Sequence, residues 1–307
     1  MVTRTGFLVR LGLLCLALYI STVQEEIPFA RNLRLTDEQL SLYRSDKNKQ
    51  ISRDHKVAYV HIPKAGGSTV ERSALFMEKI EETGVYPSAH WTVEELLENA
   101  TERHLDDGYL TATTIRNPCE RFISAFHYLK ADERAQQVAE YTARFEIDQF
   151  DSVDDYVRHV DETPQMWFRL KKFFHFLPMS HFVMKNDQTF GIDVVMCQEY
   201  WQEGVERLYS HLNATVPDNM NNHLRQNANN SFHCIDLQPR TRQSLMREYA
   251  MDFCLFGYGH RYFVPGVRRD ECIGKQLNRQ AFTMRHQYCK LQIELEESNA
   301  GTTVRIE

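Results

Sequence analysis

Apolar positions along the chain fall into short strand-like runs separated by segments with helical spacing. Residues 57–62 and 111–115 form apolar or β-branched runs of strand length, and residues 181–184 predict a further short strand. Apolar residues recur three and four positions apart in residues 69–82, 93–100, 153–160, 166–176, 205–212 and 240–253. Strands that alternate with helices predict an α/β fold in which a parallel β-sheet is flanked by crossover helices.

The segment after the first predicted strand has the residues of an anion-binding loop. It reads Lys64-Ala65-Gly66-Gly67-Ser68-Thr69 and leads into a helical pattern. Glycine lets the backbone approach a phosphate closely, and N–H groups at a helix N-terminus point towards an anion. The lysine adds a positive charge and the hydroxyls add donors. Because Lys64 precedes the glycines, whereas the lysine of GxxxxGK[ST] follows them, we expect a phosphate-bearing ligand but not ATP bound in the Walker manner.

A second polar cluster follows the strand at residues 111–115. Arg116 lies at the strand end, and Pro118 suits the first turn of a helix. The apolar face of that helix carries Phe122, Ile123, Phe126 and Leu129. Ser124 lies two turns into the helix, so its hydroxyl and the planar fork of Arg116 could converge on a second phosphate.

Together these two segments resemble the paired motifs of carbohydrate sulfotransferases, in particular the Golgi membrane-anchored families that sulfate glycans. The resemblance is carried by residues 56–130, and residues 249–258 resemble the end of that domain more weakly. It implies a P-loop-like sulfotransferase fold and the donor 3′-phosphoadenosine-5′-phosphosulfate (PAPS). Ala65 stands where these families usually have Thr, and Asn117 stands where they usually have Asp.

The resemblance also assigns the residues that would bind the donor. The 5′-phosphosulfate would be held by the loop residues Lys64, Ala65, Gly66, Gly67, Ser68 and Thr69. The 3′-phosphate would be held by Arg116 and Ser124. No metal ion is expected, since the cysteines lack the paired CxxC spacing of a zinc site.

Transfer of a sulfuryl group to a sugar hydroxyl needs a proton acceptor and a group that stabilises the departing phosphate. Lys64 is suited to the second task by its charge. We expect His90 to be the base, because it lies between the two phosphate motifs in a segment similar to the catalytic segment of hexose sulfotransferases. The alternative is a loop histidine packed against Trp91. Glu71 and Glu94 are weaker carboxylate candidates.

Several other polar and aromatic residues near the motifs have a structural and a functional interpretation. Arg121 either supports the phosphate site or forms a surface ion pair. His61 is expected to pack at a strand end, and His127 to lie on a helix surface. The aromatic band of Trp167, Phe168, Phe173, Phe174 and Phe176 is more typical of core packing than of a sugar-stacking platform.

The N-terminal segment is predicted to be a membrane anchor. Residues 6–23 are apolar except for Arg10, with a positive residue before them and acidic residues after them. We therefore expect a single-pass type II protein of the Golgi membrane with a luminal catalytic domain, or alternatively a protein secreted after signal cleavage. The predicted layout is a cytosolic tail and signal-anchor in residues 1–23, a stem in 24–55, the catalytic domain in 56–265 and a C-terminal extension and tail in 266–307.

Composition adds limits to these expectations. A chain of 307 residues with 42% hydrophobic content can bury one full α/β core or at most two small ones, and its net charge of −6 gives no support to nucleic-acid binding. Three sequons, at Asn99, Asn213 and Asn229, agree weakly with a luminal domain. Beyond Cys15 the chain has an even set of cysteines, which permits disulfides without fixing their pairing: 119, 197, 234, 254, 272 and 289. Cys119 is the best candidate for a free thiol, and Cys272 could pair with Cys289.

The acceptor stays open at the level of a hydroxyl on a glycan or proteoglycan, and so does the oligomeric state. Two other classes of protein remain as alternatives. One is a nucleotide-dependent small-molecule kinase, and the other is a catalytically silent glycan-binding relative.

Overall fold

A four-stranded sheet forms the centre of the part of the chain that the structure describes. In this computed structural model the strands are β1 (Ile51–Ser52), β2 (Val57–Val60), β3 (Leu110–Ile115) and β4 (Val194–Cys197). Their order in the sheet is β1-β2-β3-β4; β1 pairs antiparallel with β2, and β2, β3 and β4 run parallel. The residues described are 50–52, 54–76, 90–99, 108–131, 145–217, 220, 233–258 and 277–302.

Helices connect the parallel strands and cover both faces of the sheet. They are α1 (Gly67–Glu71), α2 (Val93–Asn99), α3 (Pro118–Ala131), α4 (Val153–Glu162), α5 (Met166–Leu170), α6 (Met179–Val183), α7 (Trp201–His211), α8 (Pro239–Glu248), α9 (Ala250–Phe256) and α10 (Arg279–Thr302). Short 3-10 turns occur at Ala74–Phe76, Ile147–Gln149, Gln198–Tyr200 and Cys234–Asp236. The predicted α/β class is therefore confirmed for the described residues.

The core lies on both sides of the sheet, because successive residues of a strand point to opposite faces. Ala58 and Val60 of β2 face the larger core with Phe122 and Phe126 of α3. Val57 and Tyr59 face a second cluster that includes the α7 residues Trp201, Val205 and Leu208. All four residues of β2 are buried, as expected for a parallel strand covered by helices on both faces.

Most of the predicted helices are present. The pattern at 153–160 is α4, the pattern at 93–100 is α2, and the pattern at 205–212 belongs to α7. The single helix predicted at 240–253 is divided at Tyr249 into α8 and α9.

Two predicted helices are shorter than their patterns. Within residues 166–176 only α5 is α-helical, and turns follow it. The pattern at 69–82 begins as α1 and continues as the 3-10 turn Ala74–Phe76, whereas residues 77–89 lie outside the described part of the chain.

The strand predicted at residues 181–184 is wrong, since these residues belong largely to helix α6. The cause is a long-range contact that the local pattern does not contain. The buried Asp252 carboxylate accepts hydrogen bonds from the backbone N–H groups of Met179 (2.6 Å) and Ser180 (2.8 Å). A carboxylate at this end satisfies N–H groups that a helix leaves without intrahelical acceptors. Strand β4, by contrast, was not predicted, although it is a short fully buried apolar run.

The predicted domain layout can be compared with the structure near the start of the catalytic domain. Strand β1 pairs with β2 although it lies in the span interpreted as a stem, so the sheet begins before residue 56. The proposed anchor, residues 1–23, lies outside the described residues. Among the helices that are described, none has the length and apolar character needed to cross a membrane.

Helix α10, in the predicted C-terminal extension, packs on the core. Phe282 is fully buried and stacks on Phe190 with ring centroids 4.2 Å apart. At the N-terminus of α10, Arg279 Nε lies 2.7 Å from Asp193 Oδ1, and its Nη2 donates to Thr111 Oγ1. The described part of the extension is thus tied to the starts of β3 and β4.

Two disulfides are described, Cys119–Cys234 and Cys254–Cys289. Cys119 is therefore not a free thiol, and Cys289 pairs with Cys254 rather than with Cys272. Both corrections concern residues far apart in the sequence, which cysteine spacing could not pair. Cys197 is also disulfide-bonded.

The two disulfides close loops of very different length, and this predicts different contributions to stability. The sequence separations are 115 residues for Cys119–Cys234 and 35 residues for Cys254–Cys289. We expect replacement of Cys119 and Cys234 by Ala to lower the free energy of unfolding by about 2–5 kcal/mol. Replacement of Cys254 and Cys289 should lower it by about 1 kcal/mol less, because a shorter loop restricts the unfolded chain less. Urea unfolding of both double variants would test this, and an equal or larger loss for the shorter loop would contradict it.

Candidate active site

The predicted anion-binding loop follows β2 and turns sharply into α1. The N–H of Ala65 donates to the carbonyl of Ile62 (3.3 Å), and Lys64 has the left-handed backbone conformation (φ 65°). Gly66, with φ 98°, precedes the first residue of α1. This turn brings the Lys64 side chain and the start of α1 to the same place, at the carboxyl end of β2, where ligands bind in open parallel sheets.

The buried side chain of His61 packs against this loop. Its Nδ1 lies 2.7 Å from Oε1 of Glu71, and its ring lies against Gly67, where an added Cβ would be 2.2 Å from His61 Cδ2. Glycine at position 67 is therefore required by packing. Burial lowers the pKa of His61 to about 3, so its imidazole is uncharged at neutral pH, and burial raises the pKa of Glu71.

The contact between His61 and Glu71 bears on the roles that the sequence predicted for these two residues. His61 packs at the end of β2, as predicted. Glu71 is buried beneath the loop and hydrogen-bonded to His61, which does not favour it as a base for a bound acceptor.

The second motif meets the first at the adjacent strand end. Arg116, directly after β3, donates from Nη1 to the carbonyl of Lys64 (3.3 Å), and its Nη2 lies 3.7 Å from Glu120 Oε2. Both contacts leave the guanidinium half-buried beside the loop. The Arg116 guanidinium is thus brought to the backbone of Lys64, 52 residues away in the sequence, at the carboxyl ends of β2 and β3.

One face of α3 points towards the loop. Arg121, Ser124 and Tyr128 lie on this face, since residues three and four apart are neighbours along a helix. Nζ of Lys64 lies 3.9 Å from the centroid of the Tyr128 ring, a cation–π contact. Ser124 is half-buried between the points where Arg121 and Tyr128 contact the loop segment.

Asn117, which stands where the resembling families usually have Asp, begins α3. Its Oδ1 accepts hydrogen bonds from the N–H groups of Cys119 (2.9 Å) and Glu120 (3.3 Å). Its own N–H donates to Glu199 (2.6 Å), a carboxyl whose pKa is raised by burial. Asn117 therefore performs the capping task that Asp commonly performs at this position.

Arg121 is a buried structural residue, and the surface ion pair considered for it is wrong. It is 1% exposed. Its Nε donates to the carbonyl of Pro63 (2.9 Å), and its Nη2 donates to the carbonyls of Phe174 (3.3 Å) and His175 (3.2 Å). One side chain thus connects helix α3, the anion-binding loop and the segment after α5.

His90 lies close to these residues. Its hydrogen bond to a backbone carbonyl determines which of its ring nitrogens carries the proton. Its Nδ1 lies 3.3 Å from the carbonyl oxygen of His61. A carbonyl only accepts, so Nδ1 carries the proton and Nε2 keeps its lone pair. Burial, followed by the nearby positive charges, lowers the pKa of His90 well below its usual value. At neutral pH the ring is therefore uncharged and can accept a proton at Nε2.

The rings that surround His90 differ from the predicted packing partner. Its ring centroid is 4.6 Å from His61, 5.0 Å from Phe174, to which it is nearly parallel, and 5.9 Å from His175. The alternative interpretation of His90 predicted that its ring packs against Trp91, but Trp91 is buried in the core. His90 instead lies at the edge of an aromatic and histidine cluster that includes the neighbours of Lys64.

Sequence analysis missed His175 and Tyr128. The His175 ring centroid lies 5.2 Å from that of Tyr128, whose ring carries the Lys64 ammonium. Phe173 and Phe176 of the aromatic band are core residues, as expected, whereas Phe174 stacks on His90. The only local signal was a single histidine within a run of phenylalanines.

The remaining candidates have other contacts. Glu94 accepts hydrogen bonds from Asn186, which does not favour it as a base. His127 is half-buried against Phe126 (5.3 Å) rather than fully on the helix surface. Among the described residues no group of three His, Cys, Asp or Glu side chains could hold a metal ion.

The arrangement can bind anionic groups beside a neutral proton acceptor, and a comparison with known families gives this site a context. The model of the sulfotransferase family matches residues 48–259, about two thirds of the chain. Searches of curated proteins and of solved structures found no significant match. Sulfotransferases generally use PAPS as the sulfuryl donor, and the mixed α/β sheet flanked by helices fits their fold. The chain therefore belongs to the sulfotransferase family, whose reaction is sulfuryl transfer.

Proposed function

We propose that this protein transfers the sulfuryl group of PAPS to a hydroxyl of a glycan. The observation that carries the proposal is the meeting of Lys64, Arg116 and His90 at the carboxyl ends of β2 and β3. Arg116 donates a hydrogen bond to the backbone carbonyl of Lys64, and Nδ1 of His90 donates to the backbone carbonyl of His61, three residues before Lys64. In a member of the sulfotransferase family this supports a donor site and a proton acceptor in one place.

The residues of the loop fit a bound phosphosulfate. Gly66 adopts a left-handed conformation that favours glycine, and a residue without a side chain lets a ligand approach the backbone closely. We assign the 5′-phosphosulfate to residues 64–69 and the 3′-phosphate to Arg116 and Ser124. When bound, PAPS would supply an activated sulfuryl group attached to a phosphate that leaves.

The chain's own residues would assist the transfer in two ways. His90 accepts the proton of the attacking hydroxyl at Nε2, which the hydrogen bond from Nδ1 to His61 keeps unprotonated. The Lys64 ammonium offsets the negative charge that develops on the departing phosphate. These tasks require one neutral and one positively charged group, and the low pKa of His90 agrees with the first.

The biological setting is part of the same proposal. We infer a type II protein anchored in the Golgi membrane by residues 1–23, with a glycan or proteoglycan as acceptor. The apolar N-terminal segment and the sequons support this setting. Nucleic acid is not a proposed partner, since the chain is acidic.

The reaction and the donor can be tested together. The full-length protein should transfer radiolabelled sulfate from PAPS to at least one member of a panel of glycans. It should also bind 3′-phosphoadenosine 5′-phosphate (PAP) more tightly than ATP. Preference for ATP, with phosphate transfer to a small molecule, would favour the kinase alternative; PAP binding without any transfer would favour a catalytically silent relative.

Replacement of His90 by Ala should remove turnover but not donor binding. We expect kcat to fall about 10²–10⁴-fold, the usual contribution of a general base, with the Kd for PAP nearly unchanged. His211→Ala is a matched control, since His211 is an exposed histidine at the end of α7. Steady-state kinetics and calorimetric titration of both variants provide the measurement. Wild-type kcat in the His90 variant would remove this residue from the mechanism.

The pH dependence of the reaction should report the lowered pKa of His90. A histidine is competent as a base only when it is neutral, so the rate falls as pH drops through its pKa. Because burial holds that pKa well below 6.5, kcat/KM should stay level from pH 7 to below pH 6.5. Circular dichroism at each pH checks that the protein is folded. A midpoint at or above pH 6.5 would contradict an uncharged, buried His90.

A further inference from the structure

A second histidine, His175, lies in the same cluster as His90 and Lys64. It is 8% exposed, and its ring centroid is 5.9 Å from that of His90 and 5.2 Å from that of Tyr128. The Tyr128 ring makes a cation–π contact with the Lys64 ammonium. His175 is therefore close to His90, the proposed proton acceptor, and to the ring that contacts Lys64, the proposed charge-stabilising residue.

The two nitrogens of His175 are in different environments. Nδ1 is buried and has no hydrogen-bond partner among the described residues. A buried N–H without an acceptor is rarer in proteins than an acceptor that lacks a donor. The stable neutral form therefore has the lone pair on Nδ1 and the proton on Nε2, which leaves Nε2 as the nitrogen that can meet a ligand.

His90 is the opposite tautomer. Its Nδ1–H donates to the His61 carbonyl, so that its Nε2 is an acceptor. The site thus presents two uncharged imidazoles side by side, one able to take a proton and the other able to donate a hydrogen bond. Two histidines with the same task would not need different tautomers.

We infer that Nε2–H of His175 donates a hydrogen bond to an oxygen of the sulfuryl group in transfer, while His90 removes the proton of the acceptor hydroxyl. This inference rests on the proposed function. A sulfuryl oxygen is an acceptor only, so it suits a donor that keeps its proton, whereas the acceptor hydroxyl requires a lone pair.

The step balances without a further reactant. A bond forms between the acceptor oxygen and sulfur, and the bond between sulfur and the bridging phosphate oxygen breaks, with its electron pair leaving on the phosphate. The hydroxyl proton moves to Nε2 of His90. His175 keeps its proton throughout and stabilises negative charge on the sulfuryl oxygens.

The surroundings of His175 keep it uncharged and fixed. Burial is the main cause of its lowered pKa, the nearby His90, Lys64, Arg121 and His61 lower it further, and the Tyr128 phenol also lies against the ring. Its carbonyl accepts a hydrogen bond from the guanidinium of Arg121 (3.2 Å), which also holds the Pro63 carbonyl (2.9 Å). The backbone at His175 is therefore held in a fixed position relative to Pro63, which directly precedes Lys64.

Three substitutions of His175 separate a donor at Nε2 from simple packing. Gln places an amide nitrogen near the position of Nε2, Asn places one near Nδ1, and Phe keeps the ring without a donor. We expect His175→Phe and His175→Asn to lower kcat about 10²-fold, a typical loss for one oxyanion donor. His175→Gln should recover about tenfold of that loss, and the KM for PAPS should change less than threefold.

Two further readouts exclude a purely structural effect. PAP affinity and the melting temperature of each variant should stay close to wild type, as they should in His211→Gln, a matched exposed histidine. The acid limb of kcat/KM should be unchanged in the His175 variants, since the base is still His90, and should be lost in His90→Ala.

The outcomes are distinguishable. If wild-type protein transfers no sulfate from PAPS, the proposed function and this inference both fail. If wild type is active and His175→Phe keeps kcat within threefold, the inference alone fails. It also fails if the Asn and Gln variants are equally impaired, or if kcat falls only in parallel with PAP affinity.

Discussion

The site depends on one buried guanidinium. Arg121 projects from α3 and donates to the carbonyls of Pro63, Phe174 and His175, and it is almost completely removed from water. A buried charge is strongly unfavourable unless hydrogen bonds replace its hydration, and backbone carbonyls supply these bonds here. The result is that the anion-binding loop and the segment of His175 cannot shift independently of α3. Loss of this side chain would leave buried carbonyls unsatisfied on two separate segments at once.

Charge is distributed in the site according to the chemistry that each position needs. Lys64 and Arg116 carry positive charge where anionic groups are proposed to bind. The three histidines around them are buried, and burial keeps their pKa values below the usual value, so they stay neutral beside these cations. The same desolvation therefore both limits repulsion within the site and preserves an imidazole that can accept a proton. A more exposed cluster would be partly protonated near pH 6.5.

Features that depend on residues close together in the sequence could be predicted, whereas features that depend on contacts between distant segments could not. The loop at Lys64 and the helix at Pro118 could be predicted, because glycine, proline and strand-end polar residues act within a few positions. Helix α6 could not, since its N-terminus is satisfied by Asp252, more than seventy residues away. The role of Arg121 and the pairing of Cys119 could not be predicted for the same reason, because the partners of each lie in a distant segment. His175 was missed because its sequence neighbours indicated a core, and its contacts with His90 and Tyr128, two of its four aromatic or histidine contacts, arise only from folding.

The two ends of the parallel strands carry different tasks. At the carboxyl ends of β2 and β3, Lys64 and Arg116 build the proposed donor site. At the amino ends of β3 and β4, Asp193 accepts hydrogen bonds from Thr111 and lies against Arg279 of α10. This second network fastens the C-terminal helix to the sheet without touching the loop. The residues of β2 and β4 are buried throughout, so the contacts that fasten α10 and the proposed donor site lie at opposite ends of the same buried strands.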